Sequence, residues 1–384
     1  MRSAPVTRTG AGLDILFLEP YDGGSHRAFR RGLTAHSRHR IVSRTLPARF
    51  WKWRMEGGGL TLARKALALA GEPDLIVASD MLNLPVFLAL TGQRLARVPV
   101  ALYFHENQLT YPLPPGEKRD LHYGLINFAS ALRADALFFN SAYHLAAFYD
   151  ELPRLLKHFP DYNELWSVPR LRERSEVLPL GLDLARLDAY RPGQPPASPP
   201  LLVWNHRWEY DKDPATFFRA VYALAGEGLD FRLILLGESF RNQPAEFLEA
   251  RERLGERILH FGYAEDLAQY ARLLWLGDVV VSTAIHEFFG AAVVEACYCN
   301  CFPILPARLS YPELLPAESH DACLYGDFDG LLGRLRRAIV DVAETRARSL
   351  RAHVARYDWQ RMAPLYDGHL ALVAQRPGNT PPWP

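Results

Sequence analysis

The chain has 384 residues, which is too long for one hydrophobic core of ordinary size and predicts two domains. Apolar residues make up 49% of the sequence and charged residues 23%, which excludes a disordered or collagen-like chain. With 44 Lys and Arg against 43 Asp and Glu, the formal net charge of +1 excludes a strongly basic, non-specific nucleic-acid binder. It does not exclude an RNA substrate, because a local basic patch is enough to bind one.

The first half of the chain alternates short apolar runs with amphipathic patterns. These runs predict strands at 13–19, 74–79, 99–104 and 136–140, and helices at 25–36, 60–70, 84–96 and 118–133. Residues 191–200, RPGQPPASPP, contain five prolines and interrupt the alternation as linkers do.

The alternation then starts again. We predict strands at 201–205, 231–236, 257–261, 278–282 and 301–305, helices near 214–225, 244–254, 265–275 and 289–300, and a last helix at 357–374. This order is typical of α/β domains with parallel sheets.

The predicted fold is therefore α/β with two Rossmann-like domains facing each other across a cleft. We place the first, acceptor-binding domain at 1–183, a Pro-rich linker at 184–200 and the second, donor-binding domain at 201–356. Residues 357–384 form a C-terminal helix and tail expected to pack back on the first domain. Because such sheets bind ligands at the carboxyl ends of their strands, the site is expected in the cleft.

The four cysteines do not indicate a disulfide framework, because Cys297, Cys299 and Cys301 share one short apolar stretch. We interpret them as small buried thiols rather than metal ligands, and Asn300 as the left-handed residue that ends a helix. No run of 18 apolar residues occurs, and residues 1–12 lack the apolar region of a secretion signal. We expect a cytoplasmic protein that involves no membrane and no obligate protein partner.

The segment from Glu287 to Glu295, EFFGAAVVE, follows a predicted strand and opens a helix. Next to Phe289, the small residues Gly290 and Ala291 allow a ligand to approach the backbone N–H groups of a helix N-terminus, which bind a diphosphate well. Glu295 is positioned for ribose hydroxyls and Glu287 for sugar hydroxyls. An acidic cap with one buried glutamate is the plainer alternative, which the strand–loop–helix context disfavours.

Arg207 and Lys212 share the loop after the strand at 201–205. Both can reach a diphosphate and stabilise a departing nucleotide without a metal, although two solvated loop cations are the alternative. The D-x-D patterns at 211–213 and 327–329 could hold a metal. Because Asp213 precedes Pro214, we interpret it as a helix cap, and we predict no metal and no cofactor.

Two strands of the first domain end in candidate site residues. Gly23 and Gly24 permit a tight turn against the donor. His105, followed by Glu106 and Asn107, is expected to face the cleft, where a neutral imidazole could donate to a sugar hydroxyl or to the reacting oxygen. A lone histidine is more often structural, but its place at a strand end favours the ligand role.

Residues 49–54 interleave cations with aromatic side chains: Arg49, Trp51, Lys52, Trp53 and Arg54. We predict a loop that leads into a helix. Cations contact phosphates and aromatic rings stack on bases, so the segment is a candidate nucleic-acid contact. The alternative is a loop held in place by buried tryptophans.

Taken together, these motifs resemble the retaining GT-B glycosyltransferases along nearly the whole chain. The resemblance implies that Glu295 binds the donor ribose, Glu287 the donor sugar and Arg207 with Lys212 the diphosphate. It also implies that His105 lies beside the reacting carbon of the sugar.

A narrower resemblance rests on the runs PYDGGSH, WKWRM, YFHENQLTYP, RDLHYG, FFNSAYH, LPLGLD, WNHRWEYDK, ARLLW, STAIHEFFG and RLSYPELLP. They are similar to the tRNA-queuosine mannosyltransferase family. This implies GDP-mannose as the nucleotide-sugar donor, the cyclopentene-diol of queuosine in a tRNA anticodon as the acceptor, and an α-linked product. The residues then expected to bind tRNA are His26, Arg49, Trp51, Lys52, Trp53, Arg54, Glu106 and Asn107.

Two other functions remain open from the residues alone. The first is a retaining transferase that uses another nucleotide sugar on a lipid, glycan or small-molecule acceptor. The second is an inactive RNA-binding protein, which the intact glutamate pair and both loop cations disfavour because such polar groups are costly to bury without a role.

Overall fold

Two parallel sheets of six strands form the centre of the protein in this computed structural model, which describes residues 12–113, 116–193, 199–237 and 244–378. The strands of the first sheet are β1 (Asp14–Asp22), β2 (Arg40–Pro47), β3 (Leu75–Ser79), β4 (Val100–Phe104), β5 (Ala136–Phe139) and β6 (Ser175–Val177). Those of the second are β7 (Leu201–Asn205), β8 (Arg232–Leu236), β9 (Ile258–Gly262), β10 (Val279–Val281), β11 (Phe302–Pro306) and β12 (Leu324–Tyr325).

Helices connect the strands and cover both sheets. In the first half they are α1 (Gly24–His36), α2 (Trp51–Leu67), α3 (Leu84–Thr91), α4 (Leu121–Arg133), α5 (Ala142–Lys157) and α6 (Ser167–Glu173). In the second half they are α7 (Pro214–Gly226), α8 (Ala245–Leu254), α9 (Leu267–Leu276), α10 (Ala291–Tyr298), α11 (Tyr311–Leu314), α12 (His320–Cys323), α13 (Phe328–Val340), α14 (Val342–Ala347), α15 (Arg351–Val354) and α16 (Trp359–Ala374).

The order of the strands fixes where a ligand can bind. It is β2-β1-β3-β4-β5-β6 in the first sheet and β12-β11-β10-β7-β8-β9 in the second. The direction of winding reverses beside β1 in the first sheet and between β7 and β10 in the second. Such reversals leave a crevice beyond the carboxyl ends of the strands, and ligands of doubly wound sheets bind there.

The strands and helices predicted from the sequence are present, with small shifts at their ends except in α2. The edge strands β2, β6 and β12 were missed, because edge strands need no buried apolar run and the latter two have only three and two residues. The long helices α5 and α13 and the short helices α6, α11, α12, α14 and α15 were also missed.

The start of α2 corrects the prediction of a loop at residues 49–54 and a helix from residue 60. The helix begins at Trp51 and runs through three consecutive glycines, Gly57 to Gly59. A Cβ atom on Gly58 would lie 2.9 Å from Cβ of Pro20, and one on Gly59 would lie 3.1 Å from the carbonyl oxygen of Asn83. Close packing on β1 and α3 therefore outweighs the poor helix propensity of glycine.

The last helix, α16, packs against the first sheet's layer of helices. Its Asp367 carboxylate accepts hydrogen bonds from Ser37 Oγ at 2.5 Å and from the Arg38 backbone N–H at 2.9 Å. The Trp359 ring lies 5.7 Å from that of Phe29, and Trp359 N donates to Leu182 O at 2.9 Å. The start of α16 therefore lies beside Leu182, at the end of the first domain.

Helix caps and buried thiols account for several of the singled-out residues. Asp213 accepts from Thr216 N at 3.2 Å, and Asp327 accepts from Gly330 N at 2.8 Å, so an aspartate of each D-x-D caps a helix. All four cysteines are free and buried. Asn300 has φ 70° after α10, as predicted.

The predicted boundaries at 183, 200 and 356 stay predictions. Residues 1–11, 194–198 of the linker and 379–384 of the tail lie outside the described residues. Within the described ranges, none of the helices combines the length and the apolarity that crossing a membrane requires.

Candidate functional site

A cleft of about 130 Å³ lies between the carboxyl ends of the two sheets and is lined by residues of both. The predicted site residues that it brings together are His105, Glu106, Arg207, Lys212, Glu287, Phe289, Gly290 and Ala291. Ser25, at the start of α1, also lines it. The topology predicts this position, because β1, β4, β7 and β10 all end at the cleft.

Lys212 and Glu287 form a buried ion pair that joins the loops after β7 and β10. Lys212 Nζ lies 3.3 Å from Glu287 Oε2 and 3.1 Å from Asp211 Oδ2, and it donates to the carbonyl of His286 at 2.9 Å. Burial would raise the pKa of Glu287, but Lys212 outweighs it and lowers that pKa to about 2. Burial would lower the pKa of Lys212, but Glu287 and Asp211 outweigh it, so that pKa is raised. Both groups are therefore charged at neutral pH.

The N-terminus of α10 opens onto the cleft at Gly290. Gly290 has φ 97°, a conformation that favours glycine, and a Cβ atom there would lie 2.9 Å from Leu314 Cδ1. Ser310 Oγ donates to Phe289 O at 3.0 Å and holds the loop before the helix. The first N–H groups of the helix have no partners within it, which suits them to an anion.

Glu295 lies one turn into α10 and is held by residues that the sequence analysis did not single out. Tyr270 OH donates to Glu295 Oε2 at 2.5 Å, and Asn205 Nδ2 donates to Tyr270 OH at 2.9 Å. Burial raises the pKa of Glu295. Tyr270 lies in the ARLLW helix, α9, where nothing in the local pattern distinguished it from a core residue.

Arg207 reaches the first domain. Its side chain is 46% exposed, and its guanidinium lies 3.2 Å from Glu209 and donates to Tyr111 OH at 3.4 Å. Tyr111 follows the HENQ segment of the first domain, so Arg207 connects the two walls of the cleft. Burial opposes it, but Tyr111 and Glu209 raise the pKa of Arg207 further.

His105 lies on the floor of the cleft with both ring nitrogens buried and unpaired. Burial and the neighbouring His26 lower the pKa of His105 well below its usual range, so the imidazole is neutral. Its backbone N–H donates to Asp80 Oδ1 at 2.8 Å, and its ring centroid lies 4.2 Å from that of His26. It can therefore both donate to and accept from a ligand.

His26 is buried and paired rather than presented to a macromolecule. Its Nδ1 lies 3.0 Å from Glu19 Oε2, and although burial opposes it, Glu19 raises the pKa of His26 to about 9. In the described part of the chain, Glu19, His26 and His105 are the one group with a metal-like spacing, within 4.8 Å.

The two residues that follow His105, Glu106 and Asn107, have different surroundings. Glu106 is half-buried in the cleft, accepts from Gln108 Nε2 at 3.0 Å, and has a pKa raised by burial. Asn107 is fully buried, and its Oδ1 accepts from the backbone N–H groups of Leu109 and Thr110. Asn107 shapes the loop and offers no surface through which to contact an acceptor directly.

The Gly23–Gly24 turn packs against the segment that leads into α2. Gly24 has φ 47° with open space around its Cβ position, whereas a Cβ on Gly23 would lie 2.3 Å from Cβ of Ala48. Ala48 leads directly into the basic, aromatic start of α2. There Trp51 is 37% exposed, Trp53 59% and Phe50 78%, so the alternative of buried tryptophans is wrong.

Comparison with known proteins identifies the family. The N-terminal profile of tRNA-queuosine alpha-mannosyltransferase matches residues 14–182, and that of glycosyl transferases group 1 matches residues 189–325. The tRNA-queuosine alpha-mannosyltransferase of Drosophila melanogaster is 34% identical over 332 residues, which cover 84% of this chain and 85% of the fly protein. The chain belongs to this family. It is therefore a hexosyltransferase, as its sequence motifs predicted.

More distant relatives agree on the fold. A GDP-mannose-dependent alpha-(1-6)-phosphatidylinositol dimannoside mannosyltransferase of Mycobacterium tuberculosis is 29% identical over 193 residues, 49% of each chain. The structure of Anabaena HepE with UDP and glucose has a TM-score of 0.66 at 19% identity, over 94% of this chain and 100% of that one. The structure of sucrose-phosphate synthase of Thermosynechococcus elongatus has a TM-score of 0.68 at 17% identity, over 94% of this chain and 100% of that one. The predicted GT-B architecture is confirmed.

We expect Lys212→Ala and Glu295→Gln each to weaken nucleotide-sugar binding by roughly 10- to 100-fold, because each removes a hydrogen bond involving a charged group. Isothermal titration calorimetry measures this. The matched controls are Lys157→Ala and Glu249→Gln, at exposed positions. Normal donor affinity in either site variant, with both controls also normal, would place the donor elsewhere.

Proposed function

We propose that this protein transfers mannose from GDP-mannose to the cyclopentene-diol of queuosine in a tRNA anticodon, in the cytoplasm, with retention and without a metal. Family membership over both domains is the observation that carries the proposal. GDP-mannose as the donor is supported by the similarity to the mycobacterial mannosyltransferase, which is GDP-mannose-dependent.

The donor half of the reaction rests on the cleft in the second domain. In the proposal the diphosphate lies against the N-terminus of α10, with Lys212 and Arg207 as its cations and Glu295 on the ribose. Lys212 already has its charge balanced by Glu287 and Asp211, so it is held in place before the donor binds. Preorganised charge of this kind stabilises the departing nucleotide without reorganisation.

The groups around the proposed sugar position bear on how retention would be achieved. Glu287, the nearest carboxylate of the loop, is ion-paired with Lys212 and is not free to form a covalent intermediate. We therefore propose front-face attack. The acceptor oxygen bonds to the anomeric carbon as the bond to the phosphate oxygen breaks, and the acceptor's proton passes to that phosphate oxygen.

The acceptor half rests on the exposed start of α2. Arg49, Lys52 and the aromatic residues Phe50, Trp51 and Trp53 are exposed next to the Gly23–Gly24 turn. Lys52 Nζ lies 5.6 Å from the Trp51 ring centroid, a cation–π contact. This combination of cations and open rings suits a flipped-out loop of RNA.

The test of the proposal is transfer by the purified protein to queuosine-containing tRNA. Nucleoside mass spectrometry is expected to show one added hexose, and NMR of the product an α linkage. Excess EDTA is expected to leave the rate unchanged. tRNA that contains guanosine in place of queuosine is the control. A β linkage, or a rate restored only by added magnesium or manganese, would contradict the proposed mechanism.

We expect His105→Ala to lower kcat at least about tenfold while donor affinity changes much less, because the imidazole is proposed to hydrogen-bond near the reacting carbon. Steady-state kinetics and calorimetry with GDP-mannose separate the two effects. His158→Ala, at an exposed position on α5's end, is the control. A variant with unchanged kcat but weak donor binding would show that His105 only binds.

Replacing Arg49, Lys52 and Arg54 together with glutamine is expected to weaken tRNA binding and to flatten its salt dependence, because fewer counterions are released. Filter binding across a range of salt concentrations measures both. The control replaces Arg251, Arg253 and Arg337, exposed arginines of the second domain, and removes the same charge. Equal effects of the two triple variants would mean that only net charge matters.

A further inference from the structure

The loop that carries the donor-site residues is tied to the first domain through Glu313. Glu313 belongs to α11 of the second domain, yet its carboxylate accepts hydrogen bonds from the backbone N–H groups of Ala142 at 2.8 Å and Tyr143 at 2.6 Å. These two groups open α5 of the first domain and lack partners within the helix. A carboxylate at this end also interacts favourably with the helix dipole.

The same end of α5 also holds the donor loop directly. Ser141, the cap of α5, donates from Oγ to the carbonyl of Phe288 at 2.5 Å. The ring of His144 stacks on that of Phe288, with centroids 3.9 Å apart. Phe288 directly follows Glu287, which pairs with Lys212. The start of α5 is thus fastened both to Glu313 and to the loop that contains Glu287.

The segment before Glu313 braces the donor loop from the other side. Ser310 Oγ lies within hydrogen-bond distance of the carbonyls of Glu287, at 3.4 Å, and Phe289, at 3.0 Å. Arg308 donates to the carbonyl of Ala284 at 3.0 Å. The run RLSYPE therefore supports the donor loop at several points, and its last residue reaches the other domain.

Open space lies beside this connection. A cavity of about 370 Å³ borders Ser141, Phe289 and Glu313 at the interface between the domains. The hydrogen bonds of Glu313 and Ser141 therefore join the domains at the edge of a cavity rather than in the middle of a tightly packed core.

We propose that Glu313 is a positioning residue, whose carboxylate clamps the start of α5 onto the donor loop and so holds Glu287 and the N–H groups at Gly290 in the geometry for transfer. The proposal rests on the proposed function, because the donor loop matters only if the donor lies there. Glu313 touches no substrate in this arrangement. Its effect is on the alignment of the two halves of the cleft.

The test compares Glu313→Ala and Glu313→Gln with the unchanged protein. We expect the alanine variant to lose at least tenfold in kcat, and the glutamine variant less, because its side-chain carbonyl still accepts one hydrogen bond. The dissociation constant for GDP-mannose is expected to stay within about threefold of that of the unchanged protein. The binding stoichiometry is expected to stay at one, which shows that the variant is fully folded. A variant that merely unfolded would lose stoichiometry and keep the kcat of its active molecules.

The matched control is Glu227→Gln. Glu227 also accepts two hydrogen bonds, both from Arg336 at 2.7 Å, but it lies at the far end of α7 from Lys212, about 20 Å along the helix. The kcat of Glu227→Gln is expected to be unchanged. A double variant with Ser141→Ala is expected to lose less than the product of the two single losses, because both residues act on one connection.

Small-angle X-ray scattering of the free proteins gives a readout that needs no acceptor. Glu313→Ala is expected to increase the radius of gyration, because the domains separate, and Glu227→Gln is not. If the unchanged protein modifies no tRNA but this difference is found, the proposed function fails and the clamp stands. The role of Glu313 would be overturned if the scattering curve of Glu313→Ala superimposed on that of the unchanged protein. It would also be overturned if the kcat of Glu313→Ala lay within twofold of that of the unchanged protein.

Discussion

The ion pairing of the buried Lys212 with Glu287 and Asp211 is the interaction on which the cleft depends. An ammonium group removed from water is costly unless it is closely paired, and Lys212 is paired with Glu287 and Asp211 at 3.3 and 3.1 Å. Since Lys212 follows β7 and Glu287 follows β10, the pair ties together the two loops at which the sheet reverses its winding. The loops are therefore placed by electrostatics as well as by the strands that carry them.

The two domains meet through a few polar contacts near the cleft and through the returning C-terminal helix. Arg207 reaches Tyr111 across the cleft, Glu313 reaches the start of α5, and α16 carries Trp359 onto α1. Polar contacts of this kind can break and re-form at low cost, whereas the buried face of α16 keeps the domains connected. The arrangement suits an enzyme that must admit a large acceptor and then align it with a donor.

The fold and the position of the cleft could be predicted because both follow from local patterns. Buried parallel strands give apolar runs, and the residues after them, such as His105 and Glu287, lie at the carboxyl ends by necessity. The missed features depend on tertiary contacts. Nothing local shows that Gly57 to Gly59 lie inside a helix, that Asn107 is buried by its own loop, or that Glu19 lies beneath His26. Tyr270 and Glu313 act across long sequence separations and carry no local signal.

The cleft and the start of α2 carry charge in different ways. Around Lys212 the charges are buried and paired, so salt screens them little and their effect lies in fixed geometry. At the start of α2 the cations Arg49 and Lys52 are exposed, so their attraction for an anionic partner is long-ranged and is screened within about 10 Å at ordinary ionic strength. A chain with a net charge of +1 can thus attract a polyanion locally while the rest of its surface does not. If the proposed function holds, buried charge recognises a small donor and exposed charge a large acceptor. The two kinds of recognition can then vary independently, because the residues that carry them lie in different domains.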